Sequence, residues 1–476
     1  MAASIGSWTS PANLCASDGL CTVGANATLL NTGNVVLWYY PTTTIGSPVM
    51  LLNPVTGAVT DVSLPYAEDV FCSGMTVMPD GRLLVTGGNP MSVHDCPPNR
   101  ACGTYNANIF DPASSTWSQA ANMIYSRWYP TSLTMPDGTA LTMAGQNASA
   151  EPTLQMETYN ETTGAWTQLP ASADYPGGDS YPRVVLLPDG LVFKAENLQA
   201  TETFNPATNT WTFLANTNFG NRYYGGAVLL PGLEKVLIAG GSPISDDGTG
   251  TSTNTAEVIN FSAKTPAWSY TGSMNYSRMN ENLVLLPNET VLAVGGGGGS
   301  GKYSNPIEQA ELYSPTSGTW TVMAAQTAQR TYHSTAVLLL DGRVLSAGSD
   351  YGDLETTYEI YSPPYLFQGT RPTITSVPTS LTYGAKFTIS TPDYAYIKYV
   401  ALMRAGSTTH ADDFDQRYVN LSFTNSGSNT LTATAPANAN LAPPGYYTLV
   451  IVNKSGVPSV MQFVQVSQSQ GAKRVR

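Results

Sequence analysis

Cys72, Tyr129, Tyr181, Tyr224, Asn280 and His333 occupy one place in a recurring pattern, seven residues before a turn Pro or nine before a turn Gly. A thiol, phenols and an imidazole are poor fillers for a β-rich core. Imidazole with phenolate suits Cu(II), which favours tetragonal nitrogen and oxygen ligands over the thiolate tetrahedra of zinc or the carboxylate cages of calcium. Tyr332 directly precedes His333, so two candidate ligands arise side by side. A bound cation would hold a coordinated phenol as phenolate, well below its free pKa of about 10. A single Tyr or His is more often core packing with a satisfied hydrogen bond. Convergence of the set is what gives the reading its weight, and that depends on the elements around it.

Those elements repeat. An apolar run, a Gly turn and a second apolar run ending in small residues recur seven times, from NTGNVVLWYY (31–40) and PDGRLLVTGGN (79–89) to PNETVLAVGGG (287–297) and LDGRVLSAGSD (340–350). Most copies are followed by a polar turn closing on Trp, at Trp117, Trp166, Trp211, Trp268 and Trp320. The recurrence of the Trp makes it blade packing, with carbohydrate stacking the lesser reading. A period of about 43–57 residues with four short strands per unit describes propeller blades, and the paired glycines resemble kelch repeats. Seven blades closing on themselves leave no open sheet edge. The expected fold is all-β: residues 1–365 a seven-bladed kelch-type β-propeller, residues 370–468 an immunoglobulin-like β-sandwich of six or seven antiparallel strands, and 469–476 a disordered tail. In a propeller the innermost strands ring a central channel, which would bring the Cys72 to His333 column to one level.

Composition narrows the partners. Lys and Arg number 21 against 33 Asp and Glu, a net charge of −12, so a phosphate backbone is not expected to bind. No apolar stretch reaches the roughly 18 residues of a membrane helix. Of five cysteines, Cys15 with Cys21 and Cys96 with Cys102 read as short-loop disulfides of an oxidising compartment, leaving Cys72 over. A zinc site of His94, Cys96 and Cys102 is the weaker alternative, for want of a fourth ligand. The start Met1-Ala2-Ala3-Ser4 has no leader character, so either the chain is cytosolic or a signal segment has been replaced by a starting Met; the cysteine pairs favour the second, and a secreted protein is expected. GGGGSGK (296–302) nearly spells a phosphate-binding loop, but Tyr303 stands where Ser or Thr must hold magnesium, and Pro306 interrupts the helix.

Four segments then become specific: DVFCSGM at Cys72, SRWYPTS at Tyr129, RTYHSTAVLLLDGRV at Tyr332-His333 and STTHADDFDQR at His410. In this order they resemble the active-site segments of the copper radical oxidases, the family of galactose oxidase and glyoxal oxidase. The resemblance implies one copper ion held by Tyr129, Tyr332, His333 and His410. Tyr129 would be joined to the sulfur of Cys72 by a thioether, forming a self-derived radical cofactor and explaining the odd cysteine. It implies that the segment from about Ala405 to Gln416 enters the propeller channel to deliver His410. Tyr332 would act as general base and the Tyr129–Cys72 radical would take a hydrogen atom from a primary alcohol or aldehyde hydrate, with O2 reduced to hydrogen peroxide.

Substrate is where the family divides. The Trp that stacks on the thioether in galactose oxidase would align near Asn147, which would leave the radical less shielded. The sugar-binding Arg would align near Gly177-Gly178, and the adjacent Tyr-Gln pair near Ser245-Asp246. Small aldehydes as hydrates, or simple primary alcohols, are therefore expected over galactose. A carbohydrate oxidase of the same family and a non-catalytic propeller binding glycans or proteins are the alternatives. A monomer is expected, with a peroxidase as a potential activator. Tyr181 and Tyr224 read as channel lining, and His94 carries no role.

Overall fold

The computed structural model of the chain describes residues 2–40, 46–92, 95–98, 100–244 and 250–467. His94, Ser245-Asp246 and the 469–476 tail lie outside the described residues.

The repeats fold as seven antiparallel sheets. Each inner hairpin is built round the turn seen in the sequence. In the Pro79-Asp80-Gly81 copy, Gly81 takes a φ of 92°, its N–H donates to the Met78 carbonyl (2.9 Å), and Asp80 Oδ1 accepts from the Arg82 N–H (2.9 Å). Apolar runs on both sides of the turn become strands buried on both faces, such as Gly74–Val77 and Leu83–Thr86. The outermost strands are half exposed, and their Trp side chains face the preceding blade. Trp117, Trp166 and Trp211 donate their indole N–H to the carbonyls of Val62, Ala121 and Ala173, so the Trp series is packing. The last blade, Ser334–Leu338 to Thr357–Ser362, is completed by the N-terminal strand Ser7–Trp8, which closes the ring.

A second repeated device escaped the sequence reading. Arg127, Arg222, Arg278 and Arg330, two or three residues before Tyr129, Tyr224, Asn280 and His333 of the column, pair in the interior with Glu157, Glu257, Glu311 and Glu359. Each guanidinium also binds carbonyls of its own blade, as Arg127 does those of Ala144 and Gln155. Arg127 and Arg278 are hydrogen-bonded at all three nitrogens, whereas the buried Nε of Arg222 and of Arg330 has no partner, so the carboxylate and carbonyl bonds to the terminal nitrogens carry the tolerance of buried charge there.

The C-terminal sandwich packs a five-stranded sheet on a three-stranded one. It has eight strands. One pairing, Ser380–Thr382 with Gln462–Ser467, is parallel, a departure from the all-antiparallel expectation. Its core of Ile389, Leu431, Leu449 and Val464 runs without a break into propeller residues Phe193 and Ile238. Between the sheets' ends the chain sends out a hairpin, Ser407–Thr409 and Asp412–Asp413, which pairs with Asn26–Leu29, the innermost strand of the first blade. Asp415 fastens its base by accepting from the Thr76 hydroxyl and the Val77 N–H (both 2.8 Å), and the Gln416 amide donates to the Leu283 carbonyl (2.7 Å). A segment of the sandwich thus becomes part of the propeller's inner wall.

Candidate copper site

The column predicted from spacing is a ring with one backbone conformation. Cys72, Tyr129, Tyr181, Tyr224, Asn280 and His333 stand one or two residues before their inner strands, and all take left-handed φ values between 46° and 63°. Neighbours are joined across blades: Tyr129 N–H donates to the Cys72 carbonyl and Tyr181 N–H to that of Tyr129 (both 3.0 Å). A left-handed residue with a side chain costs about 1–2 kcal/mol, so the blade junctions must impose this geometry.

Two imidazoles turn their Nε2 atoms to the axis. His333 Nδ1 lies 2.6 Å from Asp350 Oδ2, and no hydrogen-bond partner stands at its buried Nε2. At His410, the Thr409 hydroxyl donates to the Ala25 carbonyl (2.8 Å), so its oxygen accepts the His410 Nδ1–H at 2.6 Å. That leaves the His410 Nε2 lone pair facing the Tyr129 hydroxyl at 2.9 Å. Tyr129 in turn meets the Tyr332 hydroxyl in a short contact. The Cys72 sulfur and the two histidines' ligand nitrogens lie within 4.8 Å of one another, all buried.

Burial dominates the electrostatics. It pushes the Tyr129 and Tyr332 phenols and the Cys72 thiol well up, and holds both imidazoles below their ordinary value, His410 further because His333 is beside it. Neutral imidazoles with oriented lone pairs and crowded phenols fit a cation that would replace the phenolic protons. Nitrogen and oxygen donors of this kind fit Cu(II).

His410 owes its position to Arg183, at the start of the fourth blade's inner strand. The buried guanidinium donates Nη2 to the His410 carbonyl (2.7 Å), Nη1 to the Tyr181 carbonyl (2.7 Å) and Nε to the Gly225 carbonyl (3.2 Å). His410 and Ala411 are both left-handed, with φ of 51° and 64°. The bond therefore clamps the carbonyl between two strained residues.

The glyoxal oxidase N-terminal family matches residues 49–365, and the galactose oxidase-like early set domain matches residues 371–466. The chain belongs to the copper radical oxidase family. It is 29% identical to galactose oxidase of Gibberella zeae over 87% of this chain, and spans 64% of that protein's length. It is likewise 29% identical to the aldehyde oxidase GLOX of Vitis pseudoreticulata, over 85% of this chain and 83% of that one. A solved fungal alcohol oxidase of the AA5 family, in complex with copper, superposes with a TM-score of 0.84 at 25% identity, covering 97% of this chain and all of the other.

In this copper radical oxidase one expectation is overturned. Asn147 carries no stacking ring; it sits in a surface turn, its Oδ1 accepting from the Ser149 and Glu151 N–H groups. Tyr129 is nevertheless covered. Trp128 stacks on it with centroids 3.6 Å apart and planes within 12°, and Tyr181 stacks at 4.5 Å and 26°. The only signal was the Trp beside Tyr129 in SRWYP, which sequence alignment passes over because its indole arrives from a different position. Tyr181 and Tyr224, read as lining, bound a cavity of about 20 Å³ with Tyr129, Arg183, Asn197 and His410.

The remaining cysteines form the two expected bridges, Cys15–Cys21 (2.03 Å) and Cys96–Cys102 (2.09 Å), which removes the zinc alternative. Cys72 is left free and buried. In the Gly-rich loop the N–H groups of Gly296, Gly297, Gly298 and Gly301 bind the carbonyls of Arg330, Met279, Asn305 and Gly250. None of these four can cradle phosphate.

Proposed function

We propose that this protein oxidises small aldehydes, as hydrates, or simple primary alcohols by two electrons, passing them to O2 and releasing hydrogen peroxide. The observation that carries the reading is the meeting of two oriented Nε2 lone pairs and two phenols beside an unpaired buried thiol. Tyr129, Tyr332, His333 and His410 would hold copper, and Cys72 would form the thioether to Tyr129. Copper, when bound, supplies a one-electron couple that complements that of the cross-linked tyrosine. Tyr332 takes the substrate's hydroxyl proton, and Tyr129 takes a hydrogen atom from the carbon bearing it. The balance is RCH2OH + O2 → RCHO + H2O2, or RCH(OH)2 + O2 → RCOOH + H2O2. Asp350 and Thr409 keep the imidazoles turned to the axis.

Small substrates are favoured because Gly177-Gly178, aligned with the sugar-binding Arg, offers no side chain to hold sugar hydroxyls. We place the working units at 1–365 and 370–468, inseparable in function because the second supplies His410. Two disulfides and the family are consistent with an extracellular protein. No helix among the described residues is long and apolar enough to cross a membrane.

Intact mass under full reduction, before and after aerobic incubation with copper, tests the reading. Reduction opens both bridges but not a thioether. A persistent loss of two hydrogens mapped to Cys72 and Tyr129, with peroxide release from small aldehydes, is expected. Bound copper without that loss, and with no peroxide, would favour a binding module.

A further inference from the structure

We infer that Tyr181 is the positioning residue for the thioether between Cys72 and Tyr129: its hydroxyl holds the chain at Cys72 and its ring holds the plane of Tyr129; the inference rests on the oxidase reading above. Tyr181 stands just before the inner strand Arg183–Leu186. From there its side chain passes over Tyr129 of the neighbouring blade and ends at the blade beyond, where the buried hydroxyl donates to the Ser73 carbonyl (2.8 Å). Ser73 directly follows Cys72. One side chain thus touches both partners of the bond to be formed.

On the sulfur side, two successive carbonyls are engaged: that of Cys72 by the Tyr129 N–H (3.0 Å) and that of Ser73 by the Tyr181 hydroxyl. These bonds pin the chain around a Cys72 whose φ is 62°, a conformation that a side-chain-bearing residue leaves when nothing holds it. On the ring side, Tyr181 stacks on Tyr129 with centroids 4.5 Å apart and planes within 26°, and Trp128 stacks at 3.6 Å and 12°. Two rings this close cannot share one face, so Tyr129 is gripped between them. With both faces covered, the buried Cys72 thiol, in contact with the Tyr129 side chain, meets it at the edge, where the ring carbons carry hydrogen. Tyr181 is itself held, its N–H donating to the Tyr129 carbonyl (3.0 Å) and its carbonyl accepting from Arg183 Nη1 (2.7 Å).

The step balances with dioxygen as oxidant: R–SH + Ar–H + O2 → R–S–Ar + H2O2, where R is Cys72 and Ar the ring of Tyr129. The S–H bond and one ring C–H bond break, the S–C bond forms, and two protons and two electrons leave in peroxide. Its rate depends on how well sulfur and ring carbon are oriented toward each other. The two parts of Tyr181 therefore have separable effects. The hydroxyl acts only while the bond is being made, whereas the ring stays on Tyr129 and also acts on the finished redox couple.

Full-length protein produced without copper, with Cys72 still a thiol, is given Cu(II) in air, and samples are denatured in chelator with a thiol-alkylating reagent. Cys72 is the cysteine outside the two bridges, so the alkylated fraction reports thioether not yet made. Tyr181→Phe should slow the loss of alkylation about three- to tenfold, the effect of one neutral hydrogen bond, and still reach the native potential once joined. Tyr181→Leu should slow it further and shift the potential. Tyr175→Phe removes a phenol hydrogen bond to Asp179 (2.5 Å) in a core separate from that of Cys72, and should join at the native rate. The inference is overturned, with the oxidase left standing, by a Tyr181→Phe protein that joins at the native rate, that slows only with an altered Cu(II) EPR spectrum before air is admitted, or that Tyr175→Phe matches. A native chain whose Cys72 stays fully alkylated overturns the oxidase reading, and the inference with it.

Discussion

Replacing Arg183 by Met should detach the copper site from the sandwich without unfolding either. The substitution removes three hydrogen bonds from a buried charged donor, to the carbonyls of His410, Tyr181 and Gly225. Bonds of this kind contribute about 1.5–3 kcal/mol each, and the buried carbonyls left behind carry a further desolvation cost. The strain at His410 and Ala411 acts in the same direction, since two left-handed non-Gly residues store about 2–4 kcal/mol that relaxation would release. The sandwich itself keeps its other attachments, including Asp415 to Val77 and Gln416 to Leu283. The expected outcome is a folded protein whose copper affinity drops about 10–100-fold, the range found for loss of an outer partner of a metal-bound His. Copper affinity would be measured by competition with a chelator and the ligand field by EPR, with Arg183→Lys falling between native and Met. A folded Arg183→Met protein with native affinity and spectrum would refute the clamp.

Trp128→Ala should shift the potential of the Tyr129-centred couple by tens of millivolts, as expected from losing a stack worth about 0.5–1.5 kcal/mol, whereas Asn147→Ala should leave it unmoved; a redox titration showing the reverse would restore the aligned position as the shield. Asp350→Asn should lower copper affinity about tenfold, because an amide facing His333 Nδ1 no longer fixes the tautomer that bares Nε2; chelator competition measures it, and native affinity would argue against the assignment. Glu281 is wholly buried with neither oxygen partnered, and burial pushes its carboxyl up to about 8 against the pull of Arg278, Arg183 and Arg222. The folded state therefore holds a proton the unfolded chain gives up near its ordinary value, and stability falls as pH rises from about 4.5 to 8, by at most about 5 kcal/mol. Thermal melts at both ends of that range should show Glu281→Gln losing much less stability than the native chain, and parallel curves would contradict it.

The sequence was most legible where a residue type and a period coincided. The Gly turns and the Trp of most blades are set by local chemistry, so their spacing carried the propeller and the column from Cys72 to His333. The left-handed conformation shared by that column was invisible, because contacts between blades impose it on Cys72, Tyr129, Tyr181 and Tyr224, which have little intrinsic preference for it, as well as on Asn280 and His333. The Arg–Glu pairs were missed for a related reason: partners some 30 residues apart, such as Arg127 and Glu157, become a unit only after the strands pair. His410 could be placed only through its resemblance, since the sandwich has no repeat to align it, and its route is a hairpin added to the first blade's inner strand. Trp128 shows the limit of alignment most plainly. An alignment asks which residue fills a given position, whereas Tyr129 needs only that a ring lie over it, and here the neighbouring residue meets that need. Shielding of a radical is a property of the enclosed volume, so it can move between positions while the ligands, fixed by direction and distance to one ion, cannot.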